Sequence, residues 1–375
     1  MSSLIVLSDA AVHEILISLS RDEIHQVRDR LAKSLEEFST PEERNFAPDS
    51  VVVTRPHAKT LFRPFTSSEN VGIKIIVDPS AGAEAQASSA SSNATLHGVL
   101  ALCDRDGLPL GIINADEITG YRTSLSVMVP YAWRTRTTRI VVFGAGKQAL
   151  WHIRLALALR GDEIEHIAIV NRSAARGESL LSQVRSENEQ RWRSSVEMLC
   201  VSSTRPDYEQ KLESLMATAD VVFCTTPSTK PLFPARYLKV QQASSTGCYI
   251  SSIGSWQPDM MELDPQLLQH GLDLSRGQHP LGDEGGAILV DDREESLRSS
   301  GEIINSQLRA EQLVEVGEVL SSKTTTSKDQ SSSPWLADGF VIYKSVGVSA
   351  TDLAAGTAVL SLARERGVGV SVSDF

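Results

Sequence analysis

Arg139-Ile140-Val141-Val142-Phe143-Gly144-Ala145-Gly146-Lys147-Gln148-Ala149 is the stretch on which the reading of this chain turns. Residues 139–143 form a β-branched and aromatic run without polar alternation, the pattern of a strand buried on both faces. A GxGxxA turn follows at once and opens an apolar helical stretch over 147–160. Gly144 permits the tight turn, Gly146 lets the backbone approach a pyrophosphate, and Ala149 keeps the helix close to the sheet. Ala145, Lys147 and Gln148 complete the loop. The helix N-terminus then offers unpaired N–H groups and the positive end of its dipole. In this strand–turn–helix setting the motif reads as a dinucleotide site. The plainer alternative is a glycine turn in an ordinary βα unit.

Working outward, further strands are expected at 166–170, 198–202 and 220–226, with helices at 173–190 and 207–217. Such alternation predicts a parallel sheet with right-handed crossovers. The fold class is therefore α/β, a Rossmann-type doubly wound parallel sheet. The second strand ends in Asn171-Arg172-Ser173, with no acid to accept bonds from ribose hydroxyls. A guanidinium with two small polar neighbours suits a 2′-phosphate, favouring NADPH over NADH; otherwise Arg172 is a solvated charge at a helix start. Thr225-Thr226-Pro227-Ser228 follows the 220–226 strand. Loops at strand carboxyl ends line the ligand crevice, so these residues are expected to flank the nicotinamide ribose unless they form a plain loop.

The first 125 residues read as mixed α+β. Helices are expected at 8–19, capped by Ser8 or Asp9, at 22–38, and at 116–133 with Thr119 as a cap. Strands are expected at 50–54, 73–77 and 98–102, with a hairpin turn at Asp106-Gly107. Residues 340–367 give one strand and one long helix that could join either domain. The segments 81–94 and 321–334 are small, polar and Ser-rich, and are expected to be mobile loops.

Composition narrows the partners. With 36 basic and 47 acidic residues the net charge is −11, a poor match to nucleic acid or anionic membrane. No run approaches the length of a membrane span. The N-terminus lacks a basic n-region, so a cytoplasmic protein is expected. Cys103, Cys200, Cys224 and Cys248 show no CxxC spacing, which predicts reduced thiols and no metal.

Further segments carry a family resemblance: Ile73-Lys74-Ile75, Thr95-Leu96-His97-Gly98, Ile118-Thr119-Gly120-Tyr121-Arg122-Thr123, and IGSWQPDMMELDP at 253–265. VDDREESLRSSGEI at 290–303 and YKSVGVSATDLAAG at 343–356 complete the set. Together with the glycine loop, they make the chain resemble the ornithine cyclodeaminase/μ-crystallin family along nearly its whole length. The resemblance implies a homodimer and a discontinuous α+β substrate and dimerisation domain, residues 1–125 and 335–375, around a Rossmann NADP(H)-binding domain at 126–334. It also implies hydride transfer between a nicotinamide and an amino or imino acid. Lys74 matches the family's active-site lysine and Arg122 its carboxylate-binding arginine. Taken locally, they are a strand lysine and a helix-surface arginine.

Departures from the family pattern matter as much. Where many members carry an arginine in a Pro-x-Arg stretch, this chain has Pro48-Asp49-Ser50. Arg63, in Leu61-Phe62-Arg63-Pro64, is a new cation that could replace it in holding the substrate carboxylate. Trp256 stands where cyclodeaminases place an aspartate; it cannot act as a base but can wall a pocket. His97 is a candidate for shaping that pocket, or a structural histidine at a turn. The expected activity is NADPH-dependent reduction of the C=N bond of a small, cyclic or acyclic α-imino acid. The alternatives are an ornithine cyclodeaminase-type lyase, an amino-acid dehydrogenase, and an NADPH-dependent binding protein with little turnover.

Overall fold

The computed structural model describes residues 3–79, 96–238, 247–282, 285–325, 333–373 and 375. The expected loop at 81–94 lies outside them. Of the expected loop at 321–334, residues 326–332 also lie outside, but its start is helical, because the helix Val316–Thr325 runs into it. Pro334 opens the next helix, Pro334–Asp338.

In chain order the strands are β1 (Leu4–Leu7), β2 (Val51–Arg55), β3 (Ala58–Thr66), β4 (Asn70–Asp78), β5 (His97–Asp104), β6 (Pro109–Asn114), β7 (Arg139–Phe143) and β8 (His166–Asn171). They continue as β9 (Glu197–Ser202), β10 (Val221–Cys224), β11 (Tyr249–Ser252), β12 (Ile288–Val290), β13 (Leu313–Glu315), β14 (Val341–Lys344) and β15 (Val370–Val372). The chain divides into two compact units, Met1–Arg122 with Val348–Phe375, and Thr123–Gly347.

The first unit holds a seven-stranded sheet in the order β15-β1-β6-β5-β4-β3-β2. Its meander from β2 to β6 is antiparallel. The β5–β6 hairpin turns at Asp106-Gly107 as expected, with Gly107 at φ 86° and its N–H bonded to the Asp104 carbonyl. β3 is not expected from sequence, because Pro64 lies inside it. β2 pairs only with residues 58–62, so Pro64 falls where β3 has no partner on that side and no N–H is needed. The helix Ser349–Arg366 lies on β3, β4 and β5. At Gly356 the approach is close: a Cβ there would sit 2.6 Å from Leu100 and 2.8 Å from Leu102.

Helix starts follow capping chemistry. Ser8 caps the helix Asp9–Ile17, and Ser20 with Glu23 forms a capping box on Arg21–Phe38. Thr119 is not a cap. The helix Ala115–Tyr131 begins directly after β6, where Asn114 Oδ1 accepts the Asp116 N–H at 3.0 Å.

The second unit is an eight-stranded, wholly parallel sheet in the order β13-β12-β14-β11-β10-β7-β8-β9. This is the Rossmann-type α/β fold expected from the strand–helix alternation. Strand order reverses between β7 and β10, so the switch point lies beside the glycine loop. The expected boundary at 335 needs correction. All four residues of β14 are buried, and the strand sits between β11 and β12 inside the parallel sheet. An apolar strand of this kind needs cover on both faces, so 335–347 belong to the second unit and only the helix Ser349–Arg366 onward to the first. Among the described residues, no helix is long and apolar enough to cross a membrane.

Candidate active site

Three cations and one carboxylate meet inside the first unit. β4 alternates, so Lys74 and Ile76 point to the buried face. Register places Arg63 of β3 directly opposite Lys74, hence on the same face. Asp352 comes from the first turn of the helix Ser349–Arg366, and Arg122 from the helix Ala115–Tyr131. Lys74 Nζ lies 2.6 Å from Asp352 Oδ1, Arg122 Nε 2.8 Å from the same oxygen, and Arg63 Nη1 3.8 Å from Oδ2. Arg122 Nη1 also reaches Thr351 Oγ1 at 3.4 Å. Lys74 and Asp352 are each 1% exposed, Arg122 5% and Arg63 8%.

Burying so many charges is costly unless they are paired. Burial alone pushes the Asp352 carboxyl up, but Arg122, Lys74 and Arg63 outweigh it and hold it below its ordinary value. Lys74 is pushed well below the usual lysine range by burial, with Arg122 and Arg63 adding to the effect and Asp352 opposing it. One carboxylate therefore contacts all three cations. Such a cluster attracts an organic anion, and two planar guanidiniums can grip a carboxylate through paired N–H groups. A lysine so depressed can also exchange a proton nearer neutral pH.

Sequence reading brings Lys74, Arg122 and Arg63 forward, and the fold gathers all three. Ser50 is exposed just before β2, outside the cluster. Asp352 was missed; its one signal is an acid in an otherwise small and apolar helical segment. His97 is corrected. It is exposed and pairs with Val77, whereas Leu100 pairs with Lys74. Residues an odd number apart on a strand point to opposite faces, so His97 points away from the cluster.

In the second unit the glycine loop has the geometry a dinucleotide needs. Gly144 sits at φ 115°, and a Cβ there would meet Thr225 Oγ1 at 2.6 Å. Thr225 Oγ1 and N–H both donate to the Phe143 carbonyl, at 2.7 and 3.0 Å, tying the loop after β10 to the end of β7. Gly146 is the N-cap of the helix Lys147–Arg160 with no side-chain cap, and a Cβ on it would meet nothing within 4 Å. Open space thus stands before the helix N-terminus, where a pyrophosphate fits. Lys147 and Gln148 form its first turn. At the end of β8, Asn171 Nδ2 donates to the Ser173 carbonyl at 2.8 Å, and Ser173 caps the helix Ala174–Gln190. Arg172 is exposed between them.

Two further loops close this edge of the sheet. Ser228, after Pro227, accepts the Met261 N–H through its carbonyl at 2.7 Å. Trp256 is half-buried in the loop after β11. Beneath them lie Glu262, Glu302 and Lys344, fully buried. Glu262 Oε1 accepts from Thr226 N and Oγ1 at 2.6 and 3.2 Å; Oε2 accepts from Gly254 N and Ser252 Oγ at 2.8 and 2.9 Å. Glu302 accepts from Ser252 and Ser255, and Lys344 donates to Ser255.

Residues 63–367 match the ornithine cyclodeaminase/mu-crystallin family. The chain belongs to that family. A Delta(1)-pyrroline-2-carboxylate reductase of Bacillus cereus is 21% identical over 364 residues, covering 92% of this chain and 94% of its own. The ketimine reductase mu-crystallin of Rattus norvegicus is 23% identical over 263 residues, covering 70% and 67%. Among solved structures, the Thermococcus litoralis Delta(1)-pyrroline-2-carboxylate reductase in complex with NADH and L-proline superposes with a TM-score of 0.72 at 18% identity, covering 98% of this chain and all of that one. At this identity the last comparison establishes the shared fold.

Proposed function

We propose that this member of the ornithine cyclodeaminase/mu-crystallin family reduces the C=N bond of a small α-imino acid with NADPH. The observation that carries the proposal is the buried cluster of Arg63, Lys74 and Arg122 around one carboxylate, Asp352, in a chain that also holds a dinucleotide loop. The names of the two reductase relatives point the same way.

Arg122 and Arg63 bind the substrate carboxylate and fix the imino carbon and nitrogen by that one anchor. Lys74, with its depressed pKa, carries the proton that the product nitrogen takes up. The bound dinucleotide, held by Gly144, Ala145, Gly146, Lys147, Gln148 and Asn171-Arg172-Ser173, supplies the hydride. Arg172 faces solvent where no acid competes for a 2′-phosphate, which supports NADPH over NADH. Thr225, Thr226, Pro227 and Ser228 flank the nicotinamide ribose. Trp256 stands where cyclodeaminases place an aspartate and supplies no base, which weighs against cyclodeamination.

A cytoplasmic homodimer is part of the same reading. β2 is an edge strand with Val51, Val52 and Val53 exposed, and such an edge is best covered by a second copy.

The test is a panel of cyclic and acyclic α-imino acids with NADPH and with NADH, followed by cofactor absorbance. Oxidation of NADPH by a cyclic imino acid is expected. Ammonia release from ornithine without net cofactor change would replace this reading with the cyclodeaminase, and tight NADPH binding without turnover would replace it with a binding protein.

A further inference from the structure

We infer that Glu262 is a positioning residue for the nicotinamide half of the dinucleotide, acting through the two loops it joins. The inference rests on the dinucleotide reading above. In a sheet of this order the adenosine half belongs to the β7–β8 side of the switch point and the nicotinamide half to the β10–β11 side. The loops at the carboxyl ends of β10 and β11 are Thr225–Ser228 and Ile253–Trp256 by position, and both hang on this one carboxylate.

The division of labour is complete. Oε1 takes the Thr226 N–H and hydroxyl, and Oε2 takes the Gly254 N–H and the Ser252 hydroxyl. All four donors point at a side chain with no exposed surface. The loops also touch directly: a Cβ on Gly254 would lie 2.0 Å from the Thr226 carbonyl oxygen. Glu302 and Lys344 back the second loop by holding Ser252 and Ser255. A carboxylate can accept on both sides. An amide cannot, because it has one oxygen and presents N–H groups to the other loop's donors. Glu262→Gln therefore keeps size and shape but frees one loop from the other. Thr226 brings this network against the glycine loop through its methyl group only, 3.3 Å from where a Cβ on Gly144 would sit, and its hydrogen bonds all lie on the β10–β11 side. The adenosine half, toward Asn171-Arg172-Ser173, is therefore not expected to change.

The experiment compares wild type, Glu262→Gln and Glu262→Asp by equilibrium binding of the dinucleotide that wild type prefers and of its adenosine fragment (2′,5′-ADP for NADPH, ADP for NADH). Losing a buried hydrogen bond predicts roughly tenfold weaker dinucleotide binding in both variants, with fragment binding unchanged. Equal loss for dinucleotide and fragment would mean a merely structural role, and unchanged dinucleotide binding would remove the inference. Hydrogen exchange on wild type gives a reading that needs no variant. Amides of 225–228 and 253–256 should gain protection together with the dinucleotide and not with the fragment; protection of one loop alone overturns the coupling. A wild type that binds neither NADPH nor NADH overturns the dinucleotide reading itself, a result distinct from either variant outcome.

Discussion

Lys74 and Asp352, 278 residues apart in the chain, are joined by a 2.6 Å hydrogen bond at a place where neither has measurable access to water beyond 1%. That bond turns a strand from one end of the sequence and a helix from the other into one site.

Removing the acid should be severe. Asp352→Asn removes the buried carboxylate that Lys74, Arg63 and Arg122 share. Breaking a buried pair on one side costs about 3–5 kcal/mol, and urea denaturation should show a loss of that order. A loss below about 1 kcal/mol, the level of an exposed pair, would contradict the burial and pairing described.

Arg63 should bear on substrate and not on fold. It sits farther from Asp352 than the other two cations, so its loss leaves the acid paired. Arg63→Ala is expected to raise the imino-acid KM by about tenfold or more, the scale of one charge-assisted contact, with Arg63→Lys between. An unchanged KM would mean that Arg63 does not hold the carboxylate.

His152 predicts how stability varies with pH. Its Nδ1 lies 2.8 Å from both Ser124 Oγ and the Gln148 carbonyl, on the helix that the glycine loop opens. Burial pushes it from 6.5 down to about 4. The folded protein therefore keeps the ring neutral while the unfolded chain protonates it. Stability is full above pH 6.5 and is lost as pH falls toward 4, by about 3 kcal/mol from this residue. Chemical denaturation across that window should show the slope in wild type and lose it in His152→Asn.

Arg172 should decide between cofactors. Arg172→Ala is expected to raise the NADPH KM by about tenfold and leave the NADH KM near its wild-type value, since only the 2′-phosphate loses a partner. Equal change in both would place Arg172 as a solvated helix-start charge.

Much of this was legible because it is local. The unalternating run 139–143 and the glycines after it specify a doubly buried strand and an open helix N-terminus within eleven residues, whatever the rest of the chain does. Ser8 and Ser20 mark helix starts for the same reason. Thr119 misled because the strand feeding its helix runs straight into it, and Asn114 does the capping. β3 was hidden by Pro64, whose tolerance depends on how far β2 extends beside it.

The sequence by itself determined the parallel sheet and its glycine turn, since periodicity and glycine placement are properties of contiguous residues, while Lys74, Arg122 and Arg63 stood out only through the family resemblance. Only the tertiary structure decided that one acid, Asp352, gathers those cations, that His97 faces away from them, that Glu262 joins two loops, and that β14 and the helix after it belong to different units. Each of these depends on which distant segments pair and in what register. Register also sets which side chains lose water together, and that decides which charges need each other.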